Sequence, residues 1–326
     1  MKPNAMAEYL SPGVYVEEYD NSPRTLEGIG TSTAGFVGMA VKGQTVGAPS
    51  LVVNFGEFKK QFGGYLSEYT HEGYRYLAYA VEQFFTNGGT RCYVARVAPA
   101  DATAASITMG GVTMTAKNVG KWGNKIMVTF TSAERKKFQL TSKVNETVFV
   151  AKSVDGLREG DVLRYEGQTN KIVNIFENTL TFADAFEADP TDSGLLATKI
   201  LKLVELDIQV AYDREVENYA GVTMNTMSPN FFMQRLKSSN MVEVTVEELE
   251  GDLITKVFGS GAVTGTMTLE GGSDGTMGAA NAGTFIGEDN GPGKRTGIAS
   301  FVENSVVSMM AVPGVTAPEV MVSLVA

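Results

Sequence analysis

Residues 34–40 read AGFVGMA, seven in a row without a charged or hydrogen-bonding side chain. A strand is apolar on both faces only where both faces are covered, so this run points to a sheet layered between helices. The chain beyond it fits that layering. Leu51–Asn54 (LVVN) reads as a second short strand. Phe55, Phe58 and Phe62 fall three and four apart, one helical stripe, and Gly63-Gly64 ends it. Tyr74, Leu77, Ala78, Val81, Phe84 and Phe85 predict a helix over 71–86, with Asn87-Gly88-Gly89 as its exit. Cys92–Val97 (CYVARV) is a strand again.

At Pro99 the composition changes. Alanine, threonine and glycine dominate to about Gly120, and Lys121-Trp122-Gly123-Asn124 carries the one tryptophan. Strand patterns then accumulate at Lys125–Thr131, Thr147–Lys152, Gly160–Tyr165, Lys171–Phe176 and Thr179–Phe182. Asp155-Gly156, Glu166-Gly167 and Glu177-Asn178 are turn pairs, which predicts a small antiparallel β unit at about 153–190. Lys199–Tyr212 continues as strand, with a change of phase near Val204-Glu205 read as a bulge. Ser228–Lys237 predicts a helix with Ser228 as N-cap and Pro229 in its first turn. Met241–Val246 is a further strand. Between 259 and 297, 12 of 39 residues are glycine, which predicts mostly loop. Gly297–Val302 (a short helix), Val306–Val312 (a buried strand) and a helix opened by Pro318 resume the early pattern.

The expected fold class is therefore α+β or α/β, multidomain: a discontinuous α/β layered core with inserted β-rich domains. Its parts are an arm at 1–30, a first core segment at 31–98, the β-rich insertion at 99–258 and a return to the core at 259–326. A length of 326 residues suits two or three domains. Within the arm, Pro12-Gly13 opens a short strand of Val14, Tyr15, Val16 and Glu17. So short a strand at a terminus must pair with something. It is either an edge strand of its own domain or a strand donated to a neighbouring subunit.

Charge and rare residues exclude several functions. The net charge is −10, and all of it falls in 205–326, with 6 basic and 16 acidic residues; 1–204 balance at 21 and 21. No basic field exists to draw nucleic acid. One cysteine and one histidine permit neither an intrachain disulfide nor a Cys/His zinc site. Cys92 reads as a small buried hydrophobe, and His71 as an exposed or capping residue at a helix start. Gly293-Lys294 resembles the end of a phosphate loop, but Glu288 and Arg295 stand where that loop needs glycine and Ser/Thr. Glu288-Asp289-Asn290 is read as a solvated turn, Asn145-Glu146-Thr147 as an idle sequon, and Arg135-Lys136-Lys137 as a solvated loop. The expectation is no catalytic residue, cofactor or metal. MKPNAMAEYLSPG lacks the apolar core of a secretory signal, and no apolar run of about 18 residues would span a membrane. The protein is expected to be made and folded in a cytosol.

Several stretches, in order, resemble contractile-tail sheath proteins of myophages, prophages, R-type bacteriocins and contractile injection systems. They are Ser11–Glu18 (SPGVYVEE), Thr31–Gly38 (TSTAGFVG), Phe58–Gly64 (FKKQFGG), Tyr76–Val81 (YLAYAV) and Phe84–Val97 (FFTNGGTRCYVARV). Gly120–Asn124 (GKWGN), Leu269–Gly275 (LEGGSDG) and Val312–Val315 (VPGV) continue the series. The β-rich middle, about 132–255, is similar only in placement. The resemblance implies a structural subunit of a virion tail or bacteriocin particle, not an enzyme. Such subunits stack as rings around a tail tube, bound to one another through terminal arms. They meet tube, baseplate and tail terminator proteins, and they contract by rigid-body rearrangement to drive the tube through a cell envelope. Sheath proteins usually continue well past the point matching Ala326, so the resemblance also implies a truncated or proteolysed subunit, not an assembly-competent one.

Two other classes compete. A surface carbohydrate- or receptor-binding module would use the β unit, with Tyr165, Phe176, Phe182 and Phe186 as its aromatics. A hydrolase would need paired carboxylates from 205–250, and no such catalytic spacing occurs there.

Overall fold

The computed structural model describes residues 33–109, 111–191, 200–246 and 264–325. The arm residues Val14, Tyr15, Val16 and Glu17 lie outside them. Strand β1 (Ala34–Met39) is buried at all six positions, as a strand covered on both faces must be. It is followed by β2 (Ser50–Val52), α1 (Phe55–Phe62), α2 (Glu68–His71), α3 (Leu77–Thr86) and β3 (Cys92–Val97). Asn54 does not extend β2; its side chain accepts from Glu57 N and caps α1.

The insertion adds β4 (Ser106–Met109), β5 (Val112–Ala116), β6 (Met127–Ala133), β7 (Lys137–Lys143), β8 (Val148–Ala151) and β9 (Val162–Tyr165). It continues with β10 (Gln168–Phe176), β11 (Thr179–Phe182), β12 (Ile200–Leu203), β13 (Glu205–Tyr212), β14 (Glu215–Val222), α4 (Phe232–Leu236), β15 (Val242–Val246) and β16 (Thr264–Thr268). The chain closes with α5 (Ala282–Ile286), β17 (Met309–Ala311) and α6 (Pro318–Val325).

The layered sheet runs β17-β1-β3-β2. β17, β1 and β3 are parallel, with Ala34 beside both Met309 and Cys92, and β2 is antiparallel. Helices cover each face. Phe36 and Val94 pack with Phe58, Phe62, Leu77 and Val81 of α1 and α3. Val37 and Met39 pack with Phe285, Ile298, Phe301 and Val320. Two antiparallel sheets, β14-β13-β6-β16 and β15-β5-β4, share a second core around Phe130, Ile208, Met114 and Trp122. A third core fills a closed barrel, β10-β11-β8-β7-β12-β9, with Leu163, Ile172, Leu180 and Leu201 inside.

Several expectations from pattern alone are corrected. The phase change near Val204 is a transfer between sheets: β12 closes the barrel, β13 joins the four-stranded sheet, and Val204 N bonds Val162 O at 2.9 Å between them. The glycine-rich stretch is mostly loop among its described residues, but two short elements interrupt it: β16, which pairs with β6, and α5. Ser228 caps a turn by accepting from Asn230 N at 3.2 Å, while α4 starts at Phe232. The strand expected over 306–312 shrinks to three residues, and Met309 is exposed. The helix expected over 71–86 is broken: α2 ends at His71 and a 3-10 turn spans Glu72–Tyr76 before α3.

The barrel core predicts a local effect. Leu163→Ala removes a fully buried side chain, which typically destabilises by about 2–5 kcal/mol. Hydrogen exchange should show amides of β9 to β12 losing protection first, while β1 and β3 keep theirs.

Candidate functional site

The β-rich insertion meets the layered sheet at one junction, and Arg96 is its centre. An arginine in an otherwise apolar strand must find oxygen once buried. Arg96, 3% exposed, donates to Ala40 O (3.0 Å), Gly43 O (2.7 Å) and Val119 O (2.9 Å). Burial lowers its pKa to about 10, against a rising influence from Asp274, so it stays charged at neutral pH.

The next layer joins residues far apart in the chain. Asn124 Nδ2 donates to Gly272 O at 2.8 Å and Gly272 N donates back to Asn124 Oδ1 at 2.7 Å, across 148 positions. Lys121 N donates to Asp274 Oδ1 at 2.8 Å. Gly272 must be glycine here because a Cβ would lie 2.7 Å from Gly120 O. The insertion's two stems run antiparallel: Thr103 and Ser273 exchange backbone bonds of 3.0 Å, as Ser106 and Glu270 do at 2.8 and 3.1 Å. Asp101 accepts from Thr276 N, and that backbone bond holds its carboxyl below the ordinary carboxylate range.

Trp122 anchors the other side. It is 4% exposed, donates to Asn118 O at 3.2 Å and meets the Tyr212 ring edge-on at 5.3 Å. Lys42, 8% exposed, grips both carboxylate oxygens of Glu215 (2.9 and 3.0 Å), with its ammonium 4.9 Å over Tyr212. Glu217 accepts from Tyr219 Oη, Ser239 Oγ and Asn240 N. A cleft of about 990 Å³ opens beside these groups, lined among others by Lys42, Lys60, Lys117, Trp122, Glu215 and Glu217.

His71 is buried, not exposed, and it ends α2 rather than starting a helix. Its Nδ1 lies 2.7 Å from Thr70 Oγ1. Burial pushes its pKa down; Asp274 raises it, while Lys121 and Arg96 lower it. Cys92 is buried at the start of β3, where burial pushes its thiol up to about 12. Cys92 therefore packs as a hydrophobe and is no nucleophile at neutral pH.

The remaining sequence candidates separate. In the barrel, Phe186 meets Tyr165, Phe182 and Phe149 edge-on, while Phe176 stands exposed. Arg135 and Lys136 are not free loop cations, since they pair with Asp207 and Glu205. Asp289 pairs with Arg295. Among the described residues no group of three or more His, Cys, Asp or Glu side chains is placed to hold a metal ion. No helix among them is long and apolar enough to cross a membrane. What the junction does chemically is commit donors to acceptors and hold two bodies in one register.

No family model matches this sequence, and no curated protein does. Two solved structures are similar to the chain. The sheath tail protein of Listeria innocua matches at 12% identity and a TM-score of 0.36, covering 74% of this chain and 34% of that one. The sheath tail protein of Desulfitobacterium hafniense matches at 12% identity and a TM-score of 0.33, covering 81% and 40%. The chain spans about a third to two fifths of their length.

Two outcomes follow from the junction. Arg96→Met leaves three carbonyls without a donor and should destabilise by about 3 kcal/mol or more. Asn124→Ala orphans Gly272 and should lose about 1–3 kcal/mol; urea denaturation measures both. For His71, the folded pKa lies below the unfolded value, so the unfolded chain binds the proton first. Stability from this group is complete above about pH 6.5 and falls as pH drops toward the folded pKa, by at most about 1.4 kcal/mol per pH unit. His71→Gln should flatten that slope.

Proposed function

We propose that this chain is a structural subunit of a contractile tail sheath, acting by shape and not by catalysis. The observation that carries this reading is the convergence of the sheath-like stretches. Phe84–Val97 brings Arg96, Gly120–Asn124 brings the pinned turn, and Leu269–Gly275 brings its clamp. Residues that match the family pattern at distant points in the sequence are those that lock the insertion to the layered sheet.

A subunit of this kind moves as a rigid body. Its packed interior resists continuous deformation, so a lattice built from it rearranges at its contacts. Contraction then runs from an extended lattice to a compact one, driven by surface buried between subunits. Neighbouring copies bind through strand addition by Val14, Tyr15, Val16 and Glu17, where main-chain hydrogen bonds supply the affinity. The tail tube, baseplate and terminator proteins are the other partners, and the working location is the tail of a phage or bacteriocin particle.

Electron microscopy of the full-length protein that this chain is read as part of, alone and with its tube protein, tests this. Rings or tubes are expected for the wild type, and their loss for the V14P/V16P double variant, since proline cannot donate to a ladder. A full-length protein that stays monomeric beside the tube protein would sink the sheath reading. A double-proline variant that polymerises like the wild type would sink the arm alone.

A further inference from the structure

An asparagine side chain is most open to attack by the next backbone nitrogen when that residue is glycine, which has no Cβ to block the approach. The chain has two such pairs, Asn87-Gly88 and Asn290-Gly291. Both asparagines are exposed, but their hydrogen bonds differ.

Asn87 closes the C-terminal end of α3. Its Nδ2 donates to Gln83 O at 2.7 Å, and Gly88 N donates to Phe85 O at 3.1 Å. Both acceptors are main-chain carbonyls of the helix. They hold the two groups in the cap and cannot act as a base.

Asn290 lies in the loop 288–296, closed at its base by Thr296 N to Glu288 O (3.1 Å) and Glu288 N to Thr296 Oγ1 (2.9 Å). Here the acceptors are carboxylates. Gly291 N donates to Asp289 Oδ1 at 3.1 Å, and Asn290 Nδ2 donates to Glu288 Oε2 at 2.9 Å. The N–H that must lose its proton for its nitrogen to attack is already aimed at a base. Arg295 Nε donates to the same Asp289 oxygen at 2.6 Å, and its guanidinium also pairs with Glu303. Glu288 and Lys294 are the other charged groups of the loop. The Arg295 bond fixes the Asp289 carboxylate beside Gly291 and holds it below the ordinary carboxylate range, so it is ionised at neutral pH.

We propose that Asn290 is a self-modification site, at which Gly291 N attacks Asn290 Cγ with Asp289 as the catalytic base. The N–H proton passes to the Asp289 carboxylate as the N–Cγ bond forms. The Cγ–Nδ2 bond then breaks, and the nitrogen leaves as ammonia with that proton. Water opens the resulting cyclic imide at either carbonyl, which leaves aspartate or isoaspartate and one more negative charge on the loop. The proposal does not rest on the sheath reading.

Prolonged incubation of the folded chain, followed by peptide mass spectrometry, tests this. Asn290 should convert at least tenfold faster than Asn87, and in urea, where neither is held, the two rates should converge. D289N keeps an oxygen for Gly291 N but supplies no base, and should slow conversion at Asn290 about tenfold or more. The pH profile separates a base from a prop. Between about pH 5 and 7 the wild-type rate should stay flat, because Asp289 is ionised throughout, whereas in D289N it should rise about tenfold per pH unit as hydroxide takes over. Asn87 converting as fast as Asn290 in the folded chain would overturn the proposal, as would D289N with the wild-type rate and profile.

Discussion

A guanidinium withdrawn from water needs oxygen around it, and Arg96 takes its oxygen from three carbonyls on two pieces of chain. Two of them, Ala40 and Gly43, follow β1; the third, Val119, precedes the Trp122 turn. A neutral side chain could fill the same space but could not satisfy three carbonyls at once. The penalty for a buried unpaired polar group is what makes the arrangement directional. Either both segments take their places or the charge is stranded. The layered sheet and the β-rich insertion are thereby coupled through one side chain, and the Asn124–Gly272 exchange repeats the logic one layer out.

The uneven charge of the chain is used within the fold. Among the described residues, three ion pairs reach from the balanced part into the acidic part: Lys42 to Glu215, Arg135 to Asp207 and Lys136 to Glu205. Their surroundings rank them. Lys42 is nearly buried and lies over Tyr212, whereas Arg135 and Asp207 are open to solvent, where such pairs contribute little. A further carboxylate, Glu134, takes both Arg164 and Lys202 at the corner where β6 passes into the barrel. Ordinary carboxylate–cation contacts thus stitch the places where the chain changes from one body to the next. The surplus of −10 does not mark a partner surface by itself, because part of it is already spoken for.

Local pattern was readable where one force dominates. The apolar run at Ala34–Ala40 announces a strand buried on both faces, and Phe55, Phe58 and Phe62 announce α1, because burial alone decides both. It was unreadable where tertiary contact overrides propensity. Nothing near Val204 says that one strand ends in a barrel and the next begins in an open sheet; that depends on β9 offering Val162 O. Glycines between 259 and 297 look like loop, yet β16 forms because β6 offers an unpaired edge. The bend at Glu72 lies against the Pro313-Gly314 turn, 241 positions away in the chain, and no local pattern reports that neighbour. Of the junction, Arg96 carried a signal, since a lone arginine in CYVARV has to be solvated by something. Asn124 and Asp274 carried none that could be told from ordinary turn residues.

The stem explains how so long an insertion is compatible with a precise core. β1 pairs with β17, and almost the whole chain lies between them. Closing a loop becomes harder only slowly with length, by about 0.6 kcal/mol for each doubling. Length is therefore not the obstacle; orientation is. A flexible attachment would let the β-rich bodies turn freely on the sheet. Instead the entering strand at 101–106 and the leaving strand at 270–276 zip together through Asp101–Thr276, Thr103–Ser273 and Ser106–Glu270. The turn carrying Trp122 then lies across that zipper, pinned by Asn124 and Lys121. A two-stranded stem braced by a third segment resists twist as well as separation. The insertion is thereby attached to β1 and β3 through a braced stem and not through a single flexible strand.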